Sequence, residues 1–330
     1  MSQLLTLQNM GLVCIASFLL STVSMAETDV LKGVIKYKPK VDKSTIHGNL
    51  SCKGSTNVGT LLEVWIPKFQ KIYPNVTKSF DFKGSGDGIA SLMNDSANIG
   101  ASSRPIKKSE LESFKKLKGY TPTEIKVSLD ALAIYVNRLN KSENITFEEL
   151  DAIFSTNRKR GYPKSIKRWK AVGGVDEKID IYLFDKNSGT RSYFKTKVLL
   201  GGDFNSELIV NQEYTKTSEV VNAVANDKNG ISFGSVGVTN FKVKMLSVSK
   251  RKQFPSYHAS VSNIKKGNYP LTRFFYIYLD VPPNKPIPIL LYEFCKFILS
   301  HEGQKIVLRK EGLSLSPQQI GVELSKMRRD

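Results

Sequence analysis

The chain has 330 residues, 40% of them hydrophobic and 10% aromatic, which excludes a disordered or fibrous protein and is enough chain for two cores of ordinary size. Its formal charge is +19, from 49 Lys and Arg against 30 Asp and Glu, a balance that favours anionic partners and leaves the fold open. The cations are spread along the sequence with one denser patch at 158–170, and no helix-turn-helix or basic-aromatic platform goes with them, so they read as a solvated surface and not as a nucleic-acid site.

Residues 10–20 form a short apolar run, and Ser24-Met25-Ala26 precedes Glu27 as a small-residue cleavage site. Residues 1–26 are therefore expected to be an export signal, with an uncleaved anchor as the alternative; the run is short for a bilayer span. Gly11-Leu12-Val13 is a poor approach to a lipidated Cys14. Residues 27–44 are polar, Lys-rich and aperiodic, which predicts a flexible leader.

The folded part is expected from about Thr45, with a strand at 46–50 and the turn Gly54-Ser55-Thr56. In the helix that follows, Val58, Leu61, Leu62, Trp65, Ile66, Phe69 and Ile72 recur at three- and four-residue steps until Pro74. The same order then repeats. A strand at 76–82 leads through Gly84-Ser85-Gly86-Asp87-Gly88 into a helix opened by Ile89 to Met93, and a strand at 98–101 runs into Ser102-Ser103-Arg104-Pro105. Ser109 with Glu112, and later Thr146 with Glu149, have the spacing of capping boxes. A long β-rich run covers 125–136, and a strand at 179–184 enters Asn187-Ser188-Gly189-Thr190 and a helix through Leu200. A helix at 218–225, a strand at 231–236, a last strand at 273–279 and an amphipathic helix at about 287–300 complete the pattern. Alternating strands and helices predict an α/β chain with mixed, mostly parallel sheets flanked by helices. Two lobes are expected, 45–132 with 273–330 as the first and 133–272 as the second.

Beyond the signal, Cys52 and Cys295 lie far apart, no CxxC occurs, and His47, His258 and His301 are scattered. No disulfide framework, zinc site, His-based triad or other cofactor is expected. The turns are more informative. Gly54-Ser55-Thr56, Gly84-Ser85-Gly86 and Ser188-Gly189-Thr190 each follow a strand and open a helix. A helix start offers free N–H groups and a partial positive charge, and glycine allows close approach. Each segment alone is equally a simple N-cap, but three of them, with Ser102-Ser103-Arg104 as a fourth, point to one tetrahedral oxyanion. A Walker A loop is absent, Ile89 occupies the last glycine place of GxGxxG, and no GxSxG elbow is found, which disfavours nucleotides and serine hydrolysis.

These turns, together with Ile99-Gly100-Ala101 ahead of Ser102, Leu129-Asp130-Ala131-Leu132-Ala133 with Val136-Asn137, and Ile153-Phe154-Ser155, occur in the order typical of one family. Over about 46–316 the chain resembles the periplasmic phosphate-binding proteins of ABC transporters. The resemblance implies a type II periplasmic-binding-protein fold with a two-strand hinge, phosphate held in the cleft, and a membrane ABC permease as partner to a monomeric, extracytoplasmic receptor that is not an enzyme. By position it implies donors at Ser55, Thr56 and Ser85 on one lobe and at Ser188, Gly189 and Thr190 on the other, with Arg104 and Arg191 supplying positive charge. Two departures stand out. Some members carry aspartate where this chain has Ser103, and others an arginine where it has Phe184. Asp130 or Asp87 is the candidate proton acceptor in place of the first, and Arg191 or Lys186 the compensating cation for the second. A secreted phosphatase and a basic adhesion protein on the same scaffold are the alternatives.

Overall fold

A computed structural model describes residues 31–282, 285–310 and 312–327; the expected export signal and Cys14 lie outside them. β1 (Gly48–Gly54) pairs in parallel with β2 (Val76–Asp81) on one side and β3 (Ile99–Ser102) on the other. Parallel neighbours need a crossover, and helices α1 (Thr56–Gln70), α2 (Ser85–Met93) and α3 (Lys108–Lys118) follow the three strands in turn. β10 (Thr272–Leu279) runs antiparallel to β3 and, on its other edge, antiparallel to β4 (Thr123–Asn137).

β4 is long enough to serve two halves of the molecule. From Leu132 onward it pairs with β8 (Gly230–Ser235) and β9 (Val243–Ser249). β6 (Asp180–Phe184) lies parallel to β8, with β7 (Ile209–Tyr214) parallel beyond it, and β5 (Asn144–Thr146) lies parallel to β9. The second half carries α4 (Phe147–Phe154), α5 (Gly189–Lys197), α6 (Thr217–Ala225) and α7 (Val261–Lys265). After β10 come α8 (Ile289–Ile298), α9 (His301–Arg309) and α10 (Pro317–Ser325). Every antiparallel pairing of these strands involves β4 or β10. Between the halves Ala131 stands in register with Thr272, and Leu132 N–H donates to the Leu271 carbonyl at 3.0 Å.

Each half has its own core. The stripe of α1 buries Val58, Leu61, Leu62, Trp65, Ile66 and Phe69, which pack in one cluster with Phe294, Phe297 and Ile298 of α8. Each such side chain contributes roughly 1.5–3 kcal/mol on burial, and Trp65 Nε1–H finds the Gly303 carbonyl at 2.8 Å. In the second core the Phe194 and Phe233 rings stack with centroids 3.9 Å apart, and Phe154 meets Phe194 edge-on at 4.9 Å. Cys52 and Cys295 are buried free thiols of the first core, both pushed up by burial.

Two local expectations are corrected. From Leu31 the leader is held to the first core and is not the free segment its polarity predicts. Leu31 and Val34 are buried there, the Tyr37 hydroxyl donates to Glu293, and Tyr37 N–H donates to Glu302 at 2.7 Å. A few apolar anchors suffice without periodicity. The Ser109–Glu112 box does not form, because α3 starts two residues earlier than that spacing predicts, with Lys107 as its cap, and Glu110 takes the Lys107 N–H at 2.9 Å. The Thr146–Glu149 box is present at the start of α4.

Candidate functional site

Four strand-to-helix junctions meet where the halves face each other. Gly84 adopts φ of +146°, and a Cβ there would stand 2.3 Å from the Asn187 carbonyl oxygen of the opposite half; only glycine permits both the conformation and the approach. Next to it, fully buried Ser85 accepts the Ser103 N–H at 3.1 Å and lies 3.3 Å from the Ser103 hydroxyl. Gly189, first residue of α5, faces this pair so closely that a Cβ would fall 1.9 Å from Ser85 Oγ and 2.5 Å from Ser103 Oγ.

The start of α1 reaches the same region. Asn57 Nδ2 donates to Thr190 Oγ1 at 3.0 Å, and the Thr56 hydroxyl donates to the Thr215 carbonyl at 3.0 Å, both across the cleft. Ser55 is buried, but its N–H is given to the Ala101 carbonyl at 2.9 Å. The Ser188 hydroxyl caps α5 by accepting Arg191 N–H at 3.4 Å. Ser85, Ser103, Gly189 and Thr190 are thus brought together, with Ser55, Thr56 and Ser188 shaping the junctions around them.

The expected cations fall differently. Arg104 is buried, with both Nη atoms held by the Glu110 carboxylate at 2.8 and 2.5 Å and Nε without a partner. Arg191 turns aside: Nη1 donates to the Phe184 carbonyl at 2.7 Å and to Glu213 at 2.6 Å, and its guanidinium lies over the Phe204 ring. Lys186 is exposed. Asp130 is buried on β4, where Oδ2 accepts Arg273 Nε at 2.8 Å and the Ser235 hydroxyl at 3.1 Å. Burial pushes its carboxyl above the ordinary range, against the opposing pull of Arg273, Ser235 and the Ala131 N–H. Asp87, in the first turn of α2, has a buried Oδ2 without a partner.

Arg273 and Asn57 were not among the expected site residues. The sequence did hold a signal for the first: a lone arginine among Phe274, Phe275, Tyr276 and Ile277 in a strand is a charge that burial forces to find partners. Arg273 Nη2 reaches Thr190 Oγ1 at 3.2 Å and Ser235 Oγ at 3.3 Å.

Two cavities flank this meeting point. One, of about 560 Å³, is lined by Thr56, Asn57, Asp130, Thr217 and Ser235. The other, of about 580 Å³, is lined by Arg104, Lys107, Arg160, Lys197, Lys250 and Arg251 among apolar neighbours. Burial first, then the charge of Arg104, with Glu110 opposing and Lys195 adding, holds the Lys107 amine below its ordinary pKa.

Two α/β halves joined by β4 and β10, with helix starts from both facing one cleft, define a type II periplasmic-binding-protein fold. The chain belongs to the PBP superfamily, whose domain matches residues 41–302, and within it to the family of the phosphate-binding protein PstS of Pseudomonas aeruginosa, 34% identical over 87% of this chain and 90% of that one. An ABC-type phosphate transport receptor from Vibrio cholerae is similar in structure, with a TM-score of 0.65 and 26% identity over 81% of this chain and 100% of that one. A putative phosphate ABC transporter substrate-binding protein from Clostridium perfringens, crystallised with phosphate, shares the fold with a TM-score of 0.64 at 23% identity, over 82% of this chain and 100% of that one.

Proposed function

We propose that this protein captures inorganic phosphate in the cleft and delivers it to a membrane ABC permease, acting outside the cytoplasm as a monomeric receptor that neither turns its ligand over nor binds nucleic acid. The observation that carries the reading is Thr190 Oγ1. It accepts from Asn57 of the first half and from Arg273 of β10, so its own proton is left for an acceptor such as a phosphate oxygen. Helix starts supply the remaining donors without mobile charges, and their partial positive charge favours an anion.

The moving bodies in this reading are residues 45–132 with 273–330, and 133–272, turning about β4 and β10. Ligand shifts the balance toward the closed arrangement because only there do both sets of donors reach it. Ser55, Thr56, Ser85, Ser103, Ser188, Gly189 and Thr190 form the proposed contact set. Arg104 acts through its unpartnered Nε and through the basic cavity, which raises the local anion concentration at the mouth. Asp130 serves as a structural anion that holds Arg273, with the Ser235 hydroxyl and the Ala131 N–H as its further partners. Arg191 is assigned to the surface of the second half.

The test is calorimetry on protein stripped of phosphate, with sulfate and arsenate as competitors and a generic phosphomonoester as a turnover substrate. Tight phosphate binding without release of product is expected. No heat with phosphate while another oxyanion binds overturns the specificity, and steady product release revives the phosphatase alternative.

A further inference from the structure

Resting on that reading, we propose that Arg273 is an oxyanion-binding residue of the cleft, aimed by Asp130 and delivering its guanidinium from the connecting strand β10. Its side chain is 1% exposed, so every N–H needs a partner or carries a desolvation cost. Nε donates to Asp130 at 2.8 Å, which fixes the guanidinium plane and leaves the Nη groups to other partners. Nη2 lies against Thr190 Oγ1 and Ser235 Oγ, and Nη1 is buried with no partner among the described residues. The aromatic faces of Tyr193 and Phe275, 5.6 and 5.3 Å from the guanidinium carbon, hold the group in place and exclude water.

The three arginines differ in what surrounds their donors. Glu110 engages Arg104 at both Nη atoms, and Glu213 with the Phe184 carbonyl engages Arg191. Arg273 alone of the three presents an unpartnered Nη beside the hydroxyl that joins the halves. With Nε and Nη2 engaged, the two hydrogens of Nη1 are left to donate to oxygens of a tetrahedral anion. Because β10 and β4 carry the pair, the charge sits at the place about which the halves turn and is in reach throughout closure, whereas the α5 donors arrive only at the end.

The experiment compares wild type with Arg273→Lys and the double variant Asp130→Asn/Arg273→Gln, which removes both charges and leaves no buried unpaired ion. Phosphate, arsenate and sulfate affinities and the unliganded melting temperature are measured for each. The expected result is a loss of about 10- to 100-fold in phosphate affinity for Arg273→Lys and a larger one for the double variant, with both still folded. If wild type binds an oxyanion and the folded double variant binds it equally well, Arg273 is structural and the inference falls while the receptor reading stands. If wild type binds none of the three, the receptor reading falls and takes the inference with it.

Discussion

Gly189→Ala tests the closure step with a single methyl group. The new Cβ would lie 1.9 Å from Ser85 Oγ, 2.5 Å from Ser103 Oγ and 2.8 Å from Ser85 Cβ. Rotating the Ser85 hydroxyl aside breaks the bond it accepts from Ser103 N–H at 3.1 Å and leaves the other two overlaps, so the halves must part by about 1 Å to reach ordinary contact. That displacement stretches the Asn57–Thr190 and Thr56–Thr215 bonds, each 3.0 Å, to or past the limit of useful hydrogen bonding. With a ligand bond lost beside them, at about 1 kcal/mol each, phosphate binding weakens by roughly 3 kcal/mol, or about 100-fold. All three overlaps are with residues of the other half, and the φ of Gly189 is outside the left-handed region, so unliganded stability should change by less than about 1 kcal/mol. Calorimetry and phosphate-free thermal melts read the two effects separately. Wild-type affinity in the variant, or a large fall in its unliganded melting temperature, refutes the proposed role of this contact.

The basic cavity should act on the rate of capture. Reversing Lys107, Lys197 and Lys250 to Glu should slow phosphate association by about 10-fold or more at low salt and flatten its salt dependence, with dissociation little changed; stopped-flow rates insensitive to both changes would show that the cavity does not steer. Acid stability should depend on Glu302. Burial opposes its ionisation, yet the N–H groups of Tyr37 and of Glu302 itself and the Ser300 hydroxyl hold its carboxyl below the ordinary value of 4.5. A lowered folded pKa gives stability that is full above the unfolded value and lost as pH falls through the folded one. Melting temperature should therefore fall more steeply below about pH 5 in wild type than in Glu302→Gln, and parallel pH profiles would remove Glu302 from the acid response.

Much of this architecture was legible because its signals are local. The α1 stripe is a period of three and four within one segment, and the glycines and serines at 54–56, 84–86 and 188–190 mark strand-to-helix turns by their own conformational demands. What escaped is what depends on distant partners. Arg273 meets Asp130 only because β10 and β4 pair antiparallel across 143 residues of chain, and nothing near either residue announces the other. Glu110 has the spacing of a helix-start residue for Lys107, but its larger part is to hold Arg104, which took the expected cation largely out of the cleft. The α9 and α10 helices and strands β7 and β9 have weaker local patterns and gain their stability from the sheets and cores they join. Leu31, Val34 and Tyr37 show the same limit: three anchors without a period become visible only against the core that receives them.

The central claim is that one small oxyanion is gripped simultaneously by helix starts of both halves. A crystal structure grown with arsenate, whose arsenic marks the ligand by anomalous scattering, tests it most directly. The account predicts a single strong peak within hydrogen-bonding reach of Thr190 on one side and of the Ser85 turn on the other. Arsenate bound to one half alone, or lodged on the basic surface with the junctions empty, would contradict it.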